Sequence, residues 1–130
     1  MHEYGADFQT MAAVGSAAAA RRIVSLVQTI LPVASVLDVG CARATWLRVW
    51  REAGCTDVTG VDGPYIDVNE LEIPRAHFVV RDLNAPFDLQ RRFDLAECLE
   101  VAEHLPASRA ASLVADLVRH GGAVLFSAAT

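Results

Sequence analysis

Four short apolar runs in this chain each close on an acidic residue, and that repeat constrains the fold more than any other feature. Ser35-Val36-Leu37-Asp38-Val39 is followed by Gly40, and Asp57 to Val61 runs into Asp62-Gly63. His77 to Val80 is followed by Asp82-Leu83, and Phe93 to Cys98 carries Glu97 near its end. Runs this short and this apolar are typical of strands buried on both faces of a parallel sheet. Helical patterns lie between them. Ile23, Val24, Val27, Ile30 and Leu31 share one face of a helix that starts at Ser16 and is closed by Pro32. Trp46, Leu47, Val49, Trp50 and Ala53 mark a second helix from Thr45 to Ala53, with Gly54 as its stop. Pro106 opens a third that runs to His120. Gly121-Gly122 ends it, and Ala123 to Ser127 is a fifth strand whose unbroken apolar run predicts burial on both faces. Strands alternating with helices predict an α/β fold: a three-layer sandwich with a mostly parallel five-stranded sheet and helices on both faces.

Right-handed crossovers bring the carboxyl ends of all parallel strands to one edge, where ligands bind in such sheets. An acidic side chain at the end of a buried strand is costly without a polar partner. Four of them on one edge therefore predict a ligand cleft. Residues 64–76 and 84–92 read as loops, the first with one helical turn. Residues 1–15 read as a flexible arm and 16–130 as one domain. Hydrophobic residues make up 53% of the chain, so disorder is excluded as the main state. The formal net charge of -5 argues against non-specific nucleic-acid binding. All 11 basic residues are arginine, so no mechanism that needs a lysine can run here. Cys41, Cys55 and Cys98 are odd in number and form no C-x-x-C pair, which points to free thiols in a reducing, cytoplasmic setting. No apolar run approaches membrane-spanning length, and Ala17 to Ala20 precede Arg21-Arg22 instead of following a positive segment.

Asp62 lies 22 positions after Gly40. An acidic residue about 20 positions beyond a glycine turn is where Rossmann-like folds grip a ribose diol, since one carboxylate accepts two hydrogen bonds. Alternatively, Asp62 caps the turn before Gly63-Pro64. A nucleotide-binding dehydrogenase would need the pattern G-x-G-x-x-G, with glycine at 42 and 45, and the chain has Ala42 and Thr45. Val36-Leu37-Asp38-Val39-Gly40-Cys41 instead resembles the first motif of class I S-adenosylmethionine-dependent methyltransferases. Val58-Thr59-Gly60-Val61-Asp62 resembles their second motif and Val80-Arg81-Asp82-Leu83 their third. Phe93-Asp94-Leu95 through Glu100-Val101-Ala102-Glu103-His104-Leu105 resembles the fourth.

The resemblance implies a Rossmann-like domain that binds S-adenosyl-L-methionine and transfers its methyl group to an acceptor not readable here. It implies that Gly40, Cys41 and Ala42 pass under the methionine part, with Asp38 behind them. Asp62, with Gly63 beside it, would hold the ribose, Asp82 and Leu83 the adenine, and Cys98 would line the same cleft. An acidic cleft suits a sulfonium cation. Two departures bear on this. Ala42 and Ala44 stand where the family has glycine, which matters if the turn there needs positive φ. The family also implies two further strands, without which the fifth strand is an open apolar edge. That edge is expected to be covered by a second copy of the chain or by the N-terminal arm, the alternative being a continuation of the chain that carries the missing strands.

Glu100, Glu103 and His104 form E-x-x-E-H and would share one face if residues 99–105 are helical. The pattern resembles the metal-binding segment of some O-methyltransferases acting on RNA ends or phenolic lipids, but no matching fourth ligand is present, so no complete metal site is expected. A solvated helix turn is the other reading. His104 is the candidate general base, because imidazole titrates near neutral pH. Cys41 and Cys98 end neighbouring strands, as a redox pair or as two small buried residues. Trp46 and Trp50 are expected to pack on the sheet, and Arg91-Arg92 to lie in a solvated loop. A non-catalytic interaction module that keeps the fold without ligand binding is the rival from another class.

Overall fold

The computed structural model of the chain describes the backbone of residues 6–128 and the side chains from residue 17 onward. Its elements are α1 (Ala6–Ile30), β1 (Ser35–Val39), α2 (Thr45–Glu52), β2 (Asp57–Asp62), β3 (Phe78–Val80), β4 (Phe93–Leu99), α3 (Ala110–His120) and β5 (Gly121–Ser127). The strands form one sheet in the order β3-β2-β1-β4-β5, and every pairing is parallel.

Alternation along the strands builds a core on each face of the sheet. Val36, Val58 and Leu95 point to one side, where they meet Ala20 and Val24 of α1 and Leu47 and Trp50 of α2. Leu37, Val39, Val61 and Ala96 point to the other, where Leu113 and Leu117 of α3 cover them. Burying a leucine of this kind contributes about 1.5–3 kcal/mol as an upper figure. Trp50 is fully buried and Trp46 packs partly buried against the same cluster, as expected.

Besides shifts of one to four residues at the ends of α2, β2, β4 and α3, four features differ from expectation. Residues 6–15, expected as an arm, continue α1; alanine carries a helix by intrinsic propensity without an amphipathic stripe. Residues 1–5 of that expected arm lie outside the described residues. The loop 64–76 contains two 3-10 turns, Val68–Glu70 and Arg75–His77, so His77 belongs to a turn and not to β3. Its Nδ1 reaches the Val58 carbonyl at 2.8 Å. At the other end of the chain, β5 begins at Gly121, directly after α3. Gly121 ends α3 as expected, in extended backbone with its N–H donating to the Leu117 carbonyl, and a Cβ on it would lie 2.7 Å from both Cβ and N of Ala96, so it also serves close approach of β5 to β4. Finally, β5 is not buried on both faces. Ala123 and Leu125 pack against the α1–α2 cluster, whereas Val124 and Phe126 are 42% and 46% exposed. As an edge strand, β5 has one covered face, and its run of apolar residues reads like that of an interior strand.

The loop between β3 and β4 is clamped rather than loose. Arg109 is buried and donates from Nε to the Leu83 carbonyl at 2.9 Å and from a terminal nitrogen to Ala85 at 3.1 Å. The same guanidinium pairs with buried Asp116 at 2.6 Å. The Leu89 N–H donates to Nε2 of buried His120 at 2.9 Å, which fixes the proton on Nδ1, facing the Asp116 carbonyl at 2.7 Å. Arg91 and Arg92, expected in a solvated loop, make defined contacts. Arg91 pairs with Asp57 at 2.9 Å and lies over the Phe93 ring at 3.9 Å. Arg92 donates to the carbonyls of Arg119 at 2.7 Å and Gly121 at 3.1 Å, satisfying the end of α3.

Candidate functional site

The carboxyl ends of β1, β2 and β4 meet at the middle of the sheet, where β1 turns toward β2 on one side and β4 on the other. Open α/β sheets bind ligands at such a switch point. The turn after β1 is built from backbone. The N–H groups of Gly40 and Cys41 both donate to the Val61 carbonyl, at 2.7 and 3.2 Å. Gly40 has φ +82 and packs on Val101, whose Cγ2 would lie 2.4 Å from a Cβ there. Only glycine meets both demands. Ala42 and Ala44 follow with φ of 50 and 67. Left-handed backbone is thus present at both positions where the resemblance expects glycine. Gly60 on β2 leaves room for Cys41, whose Sγ would sit 2.7 Å from a Cβ at that position.

Asp62 is the hub of the turn. One carboxylate oxygen accepts from the Ala42 N–H at 2.8 Å, and the other from its neighbour Gly63 N–H at 2.8 Å and from the Tyr65 hydroxyl. Asp62 therefore caps the turn, and its carboxylate stands at the end of β2 beside the β1 turn. The loop that follows is fastened by Glu72. This carboxylate accepts from Arg48 Nε at 2.7 Å and from the Thr45 hydroxyl, and the Glu72 N–H donates to the Arg43 carbonyl at 2.8 Å. Tyr65 and Glu72 escape sequence reasoning because they sit in an aperiodic loop. The one available signal is Glu72 between Leu71 and Ile73, which both pack against the core.

Asp38 and Glu97 sit on paired positions of β1 and β4, 4% and 0% exposed. Burial pushes the Asp38 carboxyl up to about 8, with Asp62 adding to it. Burial likewise raises Glu97 well above the carboxylate range, Asp38 adds, and the Trp50 indole opposes. That opposition is the smallest of the three effects, since neither Glu97 oxygen nor the Trp50 indole nitrogen has a hydrogen-bond partner of proper geometry. The pair titrates as a unit and keeps a proton at neutral pH.

Cys41 and Cys98 are buried free thiols in different core clusters, Cys41 on the α1–α2 face and Cys98 on the α3 face. Burial pushes Cys98 up to about 12 and Cys41 higher still, so both stay as thiols, which fits small buried residues and not a redox pair. Asp82 is exposed just beyond β3 and accepts from the Asn84 N–H at 3.0 Å. Leu83 is buried in the α3-side core. Cofactor candidates Asp38, Gly40, Cys41, Ala42, Asp62 and Gly63 thus lie along one edge, with Cys98 beneath it and Asp82 at its rim.

The segment after β4 corrects one expectation. Residues 99–105 are not an α-helix: Leu99 ends β4, Glu100 has φ 57, and only Ala102–His104 form a 3-10 turn. The Glu100 N–H donates to the Ser127 carbonyl at 2.9 Å, extending the β4–β5 pairing and breaking the helical face expected for E-x-x-E-H. His104 is exposed, with Nε2 3.8 Å from Glu103. Among the described residues no group of three or more His, Cys, Asp or Glu side chains is arranged to hold a metal ion. Nor is any described helix long and apolar enough to cross a membrane.

Comparison with known proteins agrees with this geometry. A family profile described as a methyltransferase domain matches residues 11–130. The chain is 36% identical over 97 residues to malonyl-[acyl-carrier protein] O-methyltransferase of Pseudescherichia vulneris, covering 72% of this chain and 38% of that protein. It is 30% identical over 102 residues to ubiquinone biosynthesis O-methyltransferase of Coxiella burnetii, covering 71% and 42%. The chain therefore spans about two fifths of the length of these relatives. In fold it is similar to the S-adenosylmethionine-bound amino pentose methyltransferase of Micromonospora echinaspora, with a TM-score of 0.69 at 18% identity, over 100% of this chain and 59% of that one.

Proposed function

Because the chain belongs to the methyltransferase-domain family, we propose that its carboxyl sheet edge binds S-adenosylmethionine and that the protein transfers a methyl group to an acceptor. The observation that carries this reading is Asp62, held by the Ala42 and Gly63 N–H groups at 2.8 Å each so that its carboxylate stands at the end of β2 beside the β1 turn. When bound, S-adenosylmethionine supplies a methyl group activated by a sulfonium centre. The residues present fit that ligand in polarity: Asp62 presents a carboxylate at the switch point, while Asp38 and Glu97, which burial keeps protonated at neutral pH, add polar groups rather than negative charge. They fit it less well in shape, since the methyl of Ala42 stands where a glycine turn would leave open space.

In this reading Asp62 accepts hydrogen bonds from the ribose diol. Gly40, Cys41 and Ala42 pass their backbone under the methionine end, and Asp38 faces it from behind. Asp82 accepts from the adenine amino group, Leu83 supports the ring from the core below, and Cys98 packs beneath the cleft. His104 would take the proton that the acceptor gives up, the role its imidazole suits. Alignment of acceptor and methyl supplies most of the acceleration in such a displacement. The reading includes a cytoplasmic location, consistent with three free thiols, and a homodimer through the outer edge of β5.

A second reading, a binding module that keeps the fold without catalysis, is favoured by the two alanines in left-handed conformation. Titration calorimetry with S-adenosylhomocysteine separates the two. Wild type is expected to bind, and Asp62→Ala to weaken binding by about 1–3 kcal/mol, the effect of losing a charged hydrogen-bond partner. Equal affinity in both proteins removes Asp62 from the site, and no binding by either leaves the interaction module.

A further inference from the structure

Tyr65 occupies the one carboxylate that the proposed function needs most. Its hydroxyl donates to the same Asp62 oxygen that accepts from the Gly63 N–H. Its ring rests against Gly63, where a Cβ would lie 2.3 Å from Tyr65 Cε1. The backbone donors on Asp62 are part of the turn and cannot leave without unmaking it. The tyrosine is different: it is 66% exposed and lies in the loop after Gly63-Pro64, so its ring can swing out at little cost in packing.

A carboxylate has about four lone-pair positions. Two are committed to the Ala42 and Gly63 N–H groups, and the Tyr65 hydroxyl holds a third. A vicinal diol needs two. The ligand and Tyr65 therefore cannot both be satisfied.

We propose that Tyr65 is a latch on the ligand site: in the empty protein its hydroxyl stands in for a ribose hydroxyl on Asp62, and a ligand carrying a vicinal diol must displace it to bind. The inference rests on the reading of Asp62 as the ribose acceptor. It adds that the empty site is closed by the protein's own donor. The Tyr65 hydroxyl adds a third donor to a buried carboxylate that already holds two N–H groups, so the latch stabilises the empty state, and every diol ligand gives up that one hydrogen bond on entry. Glu72, which ties the far end of the same loop to α2, limits how far the displaced segment can travel.

Tyr65→Phe keeps the ring and removes only the hydroxyl. With S-adenosylhomocysteine as the probe, Tyr65→Phe is expected to bind about three- to tenfold tighter than wild type, the worth of one hydrogen bond no longer broken on entry. The thermal readout should move the opposite way. Without ligand the variant melts below wild type, and at saturating ligand the two melt together, because neither then has the Tyr65–Asp62 contact. Unchanged affinity overturns the latch while leaving the ribose assignment standing. Weaker binding also overturns it, since the hydroxyl would then be a ligand contact. Absence of binding by both proteins overturns the function reading and the latch together.

Discussion

Two alanines set the character of the β1 turn. An L-residue in left-handed backbone costs about 1–2 kcal/mol, and Ala42 and Ala44 both adopt it. Their surroundings differ. Ala42 is exposed, while Ala44 is fully buried against the α1–α2 core, so its methyl has a packing role that partly offsets its strain. Ala42→Gly should therefore stabilise the protein by about 0.5–1 kcal/mol once the extra freedom of glycine in the unfolded chain is subtracted. Ala44→Gly should be near neutral, because removing a buried methyl costs about 0.8 kcal/mol. Urea denaturation of both variants checks this. Destabilisation by Ala42→Gly would show that the turn is held by something other than its dihedral angles. The positions of Asp38, Gly40, Asp62 and Glu97 are legible in the sequence, because each ends a strand whose apolar pattern marks its boundary. Tyr65, Glu72 and Arg109 are not: they act through contacts with residues 3 to 29 positions away across loops, and no local period encodes such contacts.

Between elements, the decisive feature is the pairing of Asp38 on β1 with Glu97 on β4. Both carboxyls hold protons in the folded protein that the unfolded chain releases near the ordinary values of 3.8 and 4.5. A raised folded value contributes stability in full below the unfolded value and loses it as pH rises through the folded one. The melting temperature is therefore expected to fall as pH rises from about 5 to about 8. Glu97→Gln removes one titrating member and should flatten that slope. Scanning calorimetry at several pH values is the check, and a wild-type melting temperature that climbs over this interval would show that the pair is ionised when folded. The strands and their order of appearance are legible from alternating pattern and turn residues. The α1 start and the β5 start are not, because alanine propensity and a glycine required by Ala96 carry no periodic signal of their role.

Among the described residues β5 is the outermost strand on its side of the sheet, and no strand lies beside its outer backbone groups. Val124 and Phe126 stand 42% and 46% exposed on the same strand. An apolar open edge is a template for pairing with another chain, and two copies related by a two-fold axis can join such edges antiparallel. Light scattering is expected to report a dimer, and Val124→Lys to shift it toward monomer. A wild-type protein that stays monomeric at high concentration would sink the dimer. Residues 6–15 of the expected arm are helix and so form no strand along that edge; residues 1–5 lie outside the described residues.

The strand that starts the site is also the one flanked on both sides, and its two partners come later in the chain. β1 pairs with β2, and then with β4 some 60 residues on, where the Ala34 N–H donates to Asp94 at 2.8 Å and the Asp94 N–H to Ser35 at 2.8 Å. During synthesis the chain leaves the ribosome from its amino terminus, so the Gly40 turn emerges long before Val101, the side chain that packs beneath it. A nascent chain arrested before β4 has the β2 contacts of the turn, from Val61 and Asp62, but lacks the wall that Val101 and the β4 strand supply. The shape of the β1 turn is thus complete only when residues from the second half of the chain have joined those of the first.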